Sequence, residues 1–303
     1  MSGQKYNNQV KLLLRILPYV AEERCFALHG GTAINLFIRD MPRLSVDIDL
    51  TYLPIEDRDK TSNNIKTALE NIKTRIQGTL SNTQILNKSS DGKIFICSNS
   101  DEIKLEVNLV ARGTIEKPKK MMLRDKVQDD YETSAVMQIV PFGQVYGGKI
   151  CAALDRQHPR DLFDIKILLE NEGFSDDVRE GFLLCLISSP RSINDMLAPN
   201  FKDQRRAMDN QFAGMSPIEF IYDDFERTRE QLIQTIHQNL TDSDKQFLLS
   251  VKNCEPDWRI YDFERFPAVQ WKLQHLAKLK ESNSDKHKQL YEKLKKTLNT
   301  PSF

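Results

Sequence analysis

Phe26-Ala-Leu-His-Gly-Gly-Thr-Ala-Ile-Asn-Leu-Phe37, followed after a short break by Ser45-Val-Asp-Ile-Asp-Leu50, packs a great deal of structure into few residues. Cys25 to His29 reads as a short apolar strand stopped by Gly30-Gly31. Thr32 to Arg39 carries helical spacing through Ala33, Leu36 and Phe37, and Pro42 ends it. Ser45 to Leu53 then alternates as a second strand. Side chains alternate across a strand, so Asp47 and Asp49 leave one face together while Val46, Ile48 and Leu50 point the other way into a core. Two carboxylates this close repel each other and hold protons more tightly unless a cation lies between them. Hard oxygen donors of this kind suit Mg²⁺ or Mn²⁺ carrying a nucleotide triphosphate (NTP). Alone, an Asp-x-Asp pair is equally a solvated strand face. Alone, Gly-Gly before a helix is equally a plain turn. Their order here brings backbone N–H groups and a helix N-terminus close to the acids, the arrangement that suits phosphate oxygens.

Outward from this segment, composition sets the frame. At 303 residues with 40% hydrophobic and 28% charged side chains, the chain is long enough for one large domain or two ordinary ones around real cores. Lys plus Arg equals Asp plus Glu at 43 each, so any polyanion site has to be a local patch. The opening residues lack the unbroken apolar run of a signal peptide, and no stretch suffices to span a bilayer. Cys25, Cys97, Cys151, Cys185 and Cys254 show neither zinc spacing nor an even count, as expected of reduced cytoplasmic thiols.

The remaining elements follow from periodicity. An amphipathic helix is expected over about 6–23, a polar helix over 56–76, and strands near 83–86, 93–97 and 103–110. A Lys- and Arg-rich loop (112–126) and an apolar segment (135–140) come next. From Phe142 onward the pattern is helical: 145–156, 161–170, 178–188, 219–238, 244–252 and 268–298. The expected organisation is therefore an α/β domain with a helix-flanked mixed sheet (1–170) and an all-helical domain (171–303).

Three further sets of residues carry chemistry. Glu106 lies on the polar face of Ile103–Leu109 and is either a third metal ligand or a solvent-facing acid. Lys149 sits in an apolar helical stretch and needs an anion, a carboxylate or a phosphate. Asp161 and Asp164 share a helix face; the alternative for Asp161 is a helix cap paired with Arg156 or Arg160. Arg112, Lys117, Lys119, Lys120, Arg124 and Lys126 offer either a path for an RNA backbone or a solvated loop. Trp258 and Trp271 are expected in the core.

Phe26–Phe37 with Arg43-Leu-Ser-Val-Asp-Ile-Asp-Leu50, and Lys149-Ile-Cys-Ala-Ala-Leu-Asp-Arg156 with Pro159-Arg-Asp-Leu-Phe-Asp164, resemble the two signatures of the AbiEii/AbiGii (MenA-like) toxins, a family of DNA polymerase β-type nucleotidyltransferases. His29 stands where these proteins often carry Lys. The resemblance implies that Asp47 and Asp49 bind metal. It implies that Gly30, Gly31 and Thr32, with Ser45, approach the nucleotide and that Lys149 contacts the triphosphate. Asp161 or Asp164 would be a further essential acid. It also implies transfer of an NMP from an NTP to the 3′ end of tRNA, by the toxin of a toxin–antitoxin or phage-defence pair with its antitoxin encoded nearby. Two other functions remain open on sequence: nucleotide transfer to a protein hydroxyl (AMPylation-type), and a catalytically inactive interaction module.

Overall fold

The computed structural model describes residues 2–99 and 101–299, which form two compact units. The first comprises the described residues up to Pro141 with 210–219, the second those of 142–209 and from 220 onward. This division falls after Pro141 rather than at 170/171, because the helices of the second unit pack on one another from 142 onward.

In the first unit the elements run α1 (Ser2–Ala21), β1 (Phe26–His29), α2 (Gly30–Thr32, continued by a π-helical turn over Ala33–Ile38), β2 (Asp47–Tyr52) and α3 (Arg58–Thr79). They continue with β3 (Thr83–Lys88), β4 (Lys93–Ser98), β5 (Asp101–Asn108), β6 (Lys119–Met122), α4 (Asp125–Tyr131) and β7 (Val136–Ile139). The seven strands form one mixed sheet in the order β3-β4-β5-β2-β1-β7-β6. β2 runs parallel to β5 and antiparallel to β1. The apolar side of β2, β4 and β5 (Ile48, Leu50, Ile94, Ile96, Ile103, Leu105) is fully closed to solvent, with α1 and α3 packed on the sheet. A mixed sheet flanked by helices is therefore the fold, as the α/β pattern leads one to expect.

β6 corrects the reading of 112–126 as one loop. Lys-Lys-Met-Met has no apolar alternation to announce a strand, since β6 is an exposed edge paired only with β7. Two cations of that basic segment are structural: Arg112 is buried and donates to Thr61, and Arg124 grips Asp40 in a two-pronged ion pair (2.9 and 3.1 Å).

The second unit contains α5 (Phe142–Arg156), α6 (Pro159–Glu170), α7 (Asp176–Ser188), α8 (Ile193–Leu197), α9 (Arg205–Ala207), α10 (Tyr222–Asn239), α11 (Asp242–Lys252), α12 (Pro267–Ser282) and α13 (Ser284–Asn299). The single helix expected over 268–298 is two, broken at Asn283, whose backbone leaves the helical region (φ −155°, ψ 76°). Trp271, expected inside, is 42% exposed and packs edge-on against His275.

α5 and α7 touch backbone to backbone. A Cβ on Gly147 would stand 2.2 Å from the carbonyl carbon of Gly181, and one on Gly181 would stand 2.1 Å from the carbonyl oxygen of Gly143. Gly→Ala in a helix normally gains up to about 1 kcal/mol of propensity. Overpacking against a backbone that has nowhere to go costs about 1–3 kcal/mol or more, so the clash wins. Gly147→Val is expected to cost at least about 3 kcal/mol of stability, read as a lower urea midpoint. Gly148→Ala, whose Cβ would meet only the Cys185 sulfur at 3.9 Å, is expected to be neutral or slightly stabilising. Equal urea midpoints for the two variants would refute the close crossing.

Candidate functional site

β1 ends at His29 and the chain turns at Gly30, whose φ of +71° is open to glycine at little cost. A side chain there is excluded twice over, because a Cβ would lie 2.8 Å from the Asp49 carboxylate. The register pairs His29 with Asp49 across β1 and β2, so the glycine turn lies directly over the second aspartate. The next residues lock the turn to β2. Thr32 donates its hydroxyl hydrogen to the carbonyl of Asp47 (2.5 Å) and lies 2.9 Å from the Ser45 hydroxyl. Asn35 donates to the Gly31 carbonyl (2.9 Å) and accepts from the Arg43 backbone N–H (3.3 Å). Thr32, Asn35, Arg43 and Ser45 are all buried.

Arg43 is the residue that sequence reading passed over. Its guanidinium sits against Gly31, where a Cβ would come within 2.8 Å of Nη2, and it donates to the Leu44 carbonyl (2.9 Å). A buried cation below the glycine turn adds to the positive character of that spot. The only sequence signal was an Arg two residues ahead of Ser45. A returning segment holds this approach to β2: Leu44 N–H donates to Met215 O (2.7 Å), and Ser216 Oγ donates to Pro42 O (2.9 Å).

Asp47 and Asp49 are half-buried while Ile48 and Leu50 are closed off, so the two acids do share the polar face. Parallel pairing sets Lys104 opposite Asp47 and Glu106 opposite Asp49. Glu106 is thus beside the pair, but each of its oxygens is taken by a lysine: Lys93 at 3.1 Å and Lys104 at 2.7 Å. Burial would raise the Glu106 pKa; the hydrogen bonds and charges of Lys104 and Lys93 outweigh it and leave the carboxylate below its ordinary value. Lys104 mirrors this. Burial favours its neutral form, yet Glu106, Asp47 and Asp49 together hold it protonated above the ordinary lysine range. Among the described residues no three His, Cys, Asp or Glu side chains form a ready-made metal cage. A cleft of about 270 Å³ opens here, lined by His29, Asp49, Lys93, Glu106 and Asn108 among others. His29 Nδ1 lies 3.0 Å from the Thr51 hydroxyl.

The second cluster lies in the helical unit. Lys149 is buried on α5, with its ammonium 2.9 Å from Asp161 and 3.0 Å from Asp164, both on α6 and both fully enclosed. Arg156 adds a two-pronged contact to Asp161 (2.5 and 2.8 Å). Burial alone would raise the Asp161 pKa; the Lys149 charge and the Arg156 hydrogen bond reverse it and hold the carboxyl well below the usual carboxylate range. The anion that Lys149 required is, within this unit, a pair of carboxylates. His158 caps α6, accepting from the Arg160 N–H (3.1 Å).

The family model described as "Nucleotidyl transferase AbiEii toxin, Type IV TA system" matches residues 11–275. The chain belongs to the AbiEii nucleotidyltransferase toxin family. Nucleotidyl transfer from an NTP and a place in a type IV toxin–antitoxin pair, with an antitoxin as partner, come with that membership. Among solved structures, the fold is similar to that of MenT4, a nucleotidyltransferase toxin from Mycobacterium tuberculosis H37Rv. The TM-score is 0.60 at 12% identity, over 88% of this chain and 92% of that one. Among curated proteins none matches in sequence. Among the described residues of this AbiEii chain, no helix is long and apolar enough to cross a membrane.

Proposed function

We propose that this AbiEii protein moves an NMP from an NTP to the 3′-terminal hydroxyl of tRNA in the cytoplasm, as the toxin of a toxin–antitoxin or phage-defence pair. The reading rests above all on one observation: the Gly30 turn lies against the Asp49 carboxylate at the mouth of a polar cleft. The donor set fits Mg²⁺ or Mn²⁺. Mg²⁺ is commonly held by one or two carboxylates together with substrate phosphates and waters, so Asp47 and Asp49 suffice without a third protein acid. When bound there, such a cation would supply electrostatic stabilisation to the phosphate charge that develops during transfer.

The protein's own groups do the rest. The turn at Gly30 and Gly31 leaves room for phosphate oxygens near backbone N–H groups, while Thr32, Ser45 and Arg43 fix that turn beneath them. Glu106 holds Lys104 beside the aspartates instead of serving as a ligand itself. The acceptor oxygen forms a bond to the α-phosphorus as the bond from that phosphorus to the bridging oxygen breaks, and pyrophosphate departs. From the helical unit we carry Lys149, Asp161 and Asp164 as groups essential to activity, on the resemblance of their two segments to the family's second signature.

Incubating the protein and Mg²⁺ with each α-labelled NTP, total tRNA and cell protein tests this directly. Label is expected at tRNA 3′ ends from one preferred NTP. Label on protein would replace the acceptor with a protein hydroxyl. Label on neither would overturn the reading.

A further inference from the structure

Beyond the aspartates the polar face of the sheet stays open all the way to its β3 edge. Two cross-strand rows run along it. One reads Leu86, Phe95, Lys104, Asp47; the other reads Lys88, Lys93, Glu106, Asp49, His29. Directly paired residues on adjacent strands share a face, so these side chains all stand on the same side as the acids. Phe95 is only half-buried, Leu86 is 57% exposed, and the Lys88 ammonium lies 5.7 Å from the centre of the Phe95 ring. A half-buried phenylalanine on the open face needs a reason, because the opposite face of β4 already supplies Ile94 and Ile96 to the core.

We infer that this face is a stacking platform for the single-stranded 3′ end of the RNA acceptor, with Phe95 under a base and Lys88 against the backbone. The inference rests on the RNA acceptor proposed above and names the surface that receives it. Three features favour a nucleic-acid strand. An aromatic ring flanked by cations on an open sheet is the arrangement that takes up unpaired bases, since every base offers a π-face and every linkage a negative charge. Lys93 and Lys104 neutralise Glu106, and Lys104 itself stands between Phe95 and Asp47 in the cross-strand row. The geometry also fits. Phe95 lies two strand spacings from β2, roughly 10 Å, a span covered by the last nucleotides of a strand whose terminal hydroxyl reaches the acids.

The test measures transfer with the acceptor RNA varied at saturating NTP, then with NTP varied at saturating RNA. It also measures binding of a short single-stranded RNA by fluorescence anisotropy. Phe95→Ala is expected to raise the acceptor KM and the RNA Kd roughly tenfold, with NTP KM and melting temperature unchanged. Phe95→Trp is expected to restore both. Lys88→Ala is expected to weaken RNA binding and flatten its salt dependence. If wild type transfers to RNA and Phe95→Ala matches it in acceptor KM and Kd, the platform is wrong while the acceptor stands. If NTP KM rises instead, the ring belongs to the nucleotide site and the inference fails. If only inhibition by the antitoxin changes, the face belongs to that protein and the inference fails likewise. Absence of any RNA transfer by wild type overturns the acceptor reading, and the anisotropy comparison then decides the platform by itself.

Discussion

Asp49→Ala is expected to lower nucleotide transfer by at least about a thousandfold, roughly 4 kcal/mol of lost transition-state stabilisation, with the melting temperature unchanged or slightly higher. The two halves of that expectation have separate origins. Asp47 and Asp49 stand on one face of β2 with Lys104 beside them. They are a poor arrangement for stability, because like charges at this spacing repel. Removing one relieves that repulsion, and the half-buried position leaves no sealed cavity behind. Under the proposed function that cost is the one expected where two acids await a cation, with Thr32, Ser45 and Arg43 fixing the glycine turn beside them. Circular dichroism melts and α-labelled NTP transfer, measured on the same preparation, give both halves. Full activity in Asp49→Ala would end the case for this cleft.

Glu106→Gln separates the two roles open to that residue. A ligand carboxylate lost would cost activity on the scale of Asp49→Ala. A carboxylate that restrains Lys104 would, when lost, let the ammonium swing toward Asp47 and Asp49 and compete with the divalent cation. The expected result is therefore a higher Mg²⁺ requirement with activity recovered at saturation, read from a Mg²⁺ titration. Activity that no Mg²⁺ concentration restores would return Glu106 to the ligand set.

How far such a site can be read from sequence depends on the range of the interactions involved. Alternation over 45–53 was enough to place both aspartates on one polar face, since strand geometry is local. The Gly-Gly-Thr turn was legible for the same reason; the bond by which the Thr32 hydroxyl ties α2 to β2 was not. What escaped depended on partners far along the chain. Nothing near position 106 announces that Lys93, on a neighbouring strand, will occupy its carboxylate. Nothing near position 43 announces a guanidinium packed on Gly31. The edge strand Lys119–Met122 has no buried face to imprint a period. Nothing near Gly143, Gly147 or Gly181 announces that α5 and α7 touch there. That contact also explains why the compact units part after Pro141: α5 spends its small-residue face on α7.

Lys149→Met is expected to cost about 3–5 kcal/mol of stability, the usual penalty for removing one partner from an enclosed ion cluster. Asp161 and Asp164 are both sealed from solvent and both rest on the same ammonium. Arg156 would still serve Asp161, while Asp164 would lose the ammonium at 3.0 Å. The pH dependence distinguishes this from lost packing. In the wild type the folded Asp161 pKa is depressed. Its contribution is therefore complete above about pH 4 and is lost as the pH falls toward the depressed value. In Lys149→Met the largest charge that depresses the Asp161 carboxyl is gone, so less of that contribution remains. The variant should thus lie furthest behind wild type above about pH 4 and draw closer as the pH falls toward the depressed value. Lys149→Met combined with Asp164→Asn should recover part of the loss at pH 7, since it removes one of the two charges that Lys149 had balanced. Urea unfolding of the three proteins at two pH values checks the whole scheme, and a gap independent of pH would show that the lysine stem, not its charge, holds α5 to α6. Transfer assays on the double variant then carry functional meaning: a protein that folds normally but transfers no nucleotide would place Lys149 or Asp164 in the chemistry, whereas restored transfer would make the cluster purely architectural.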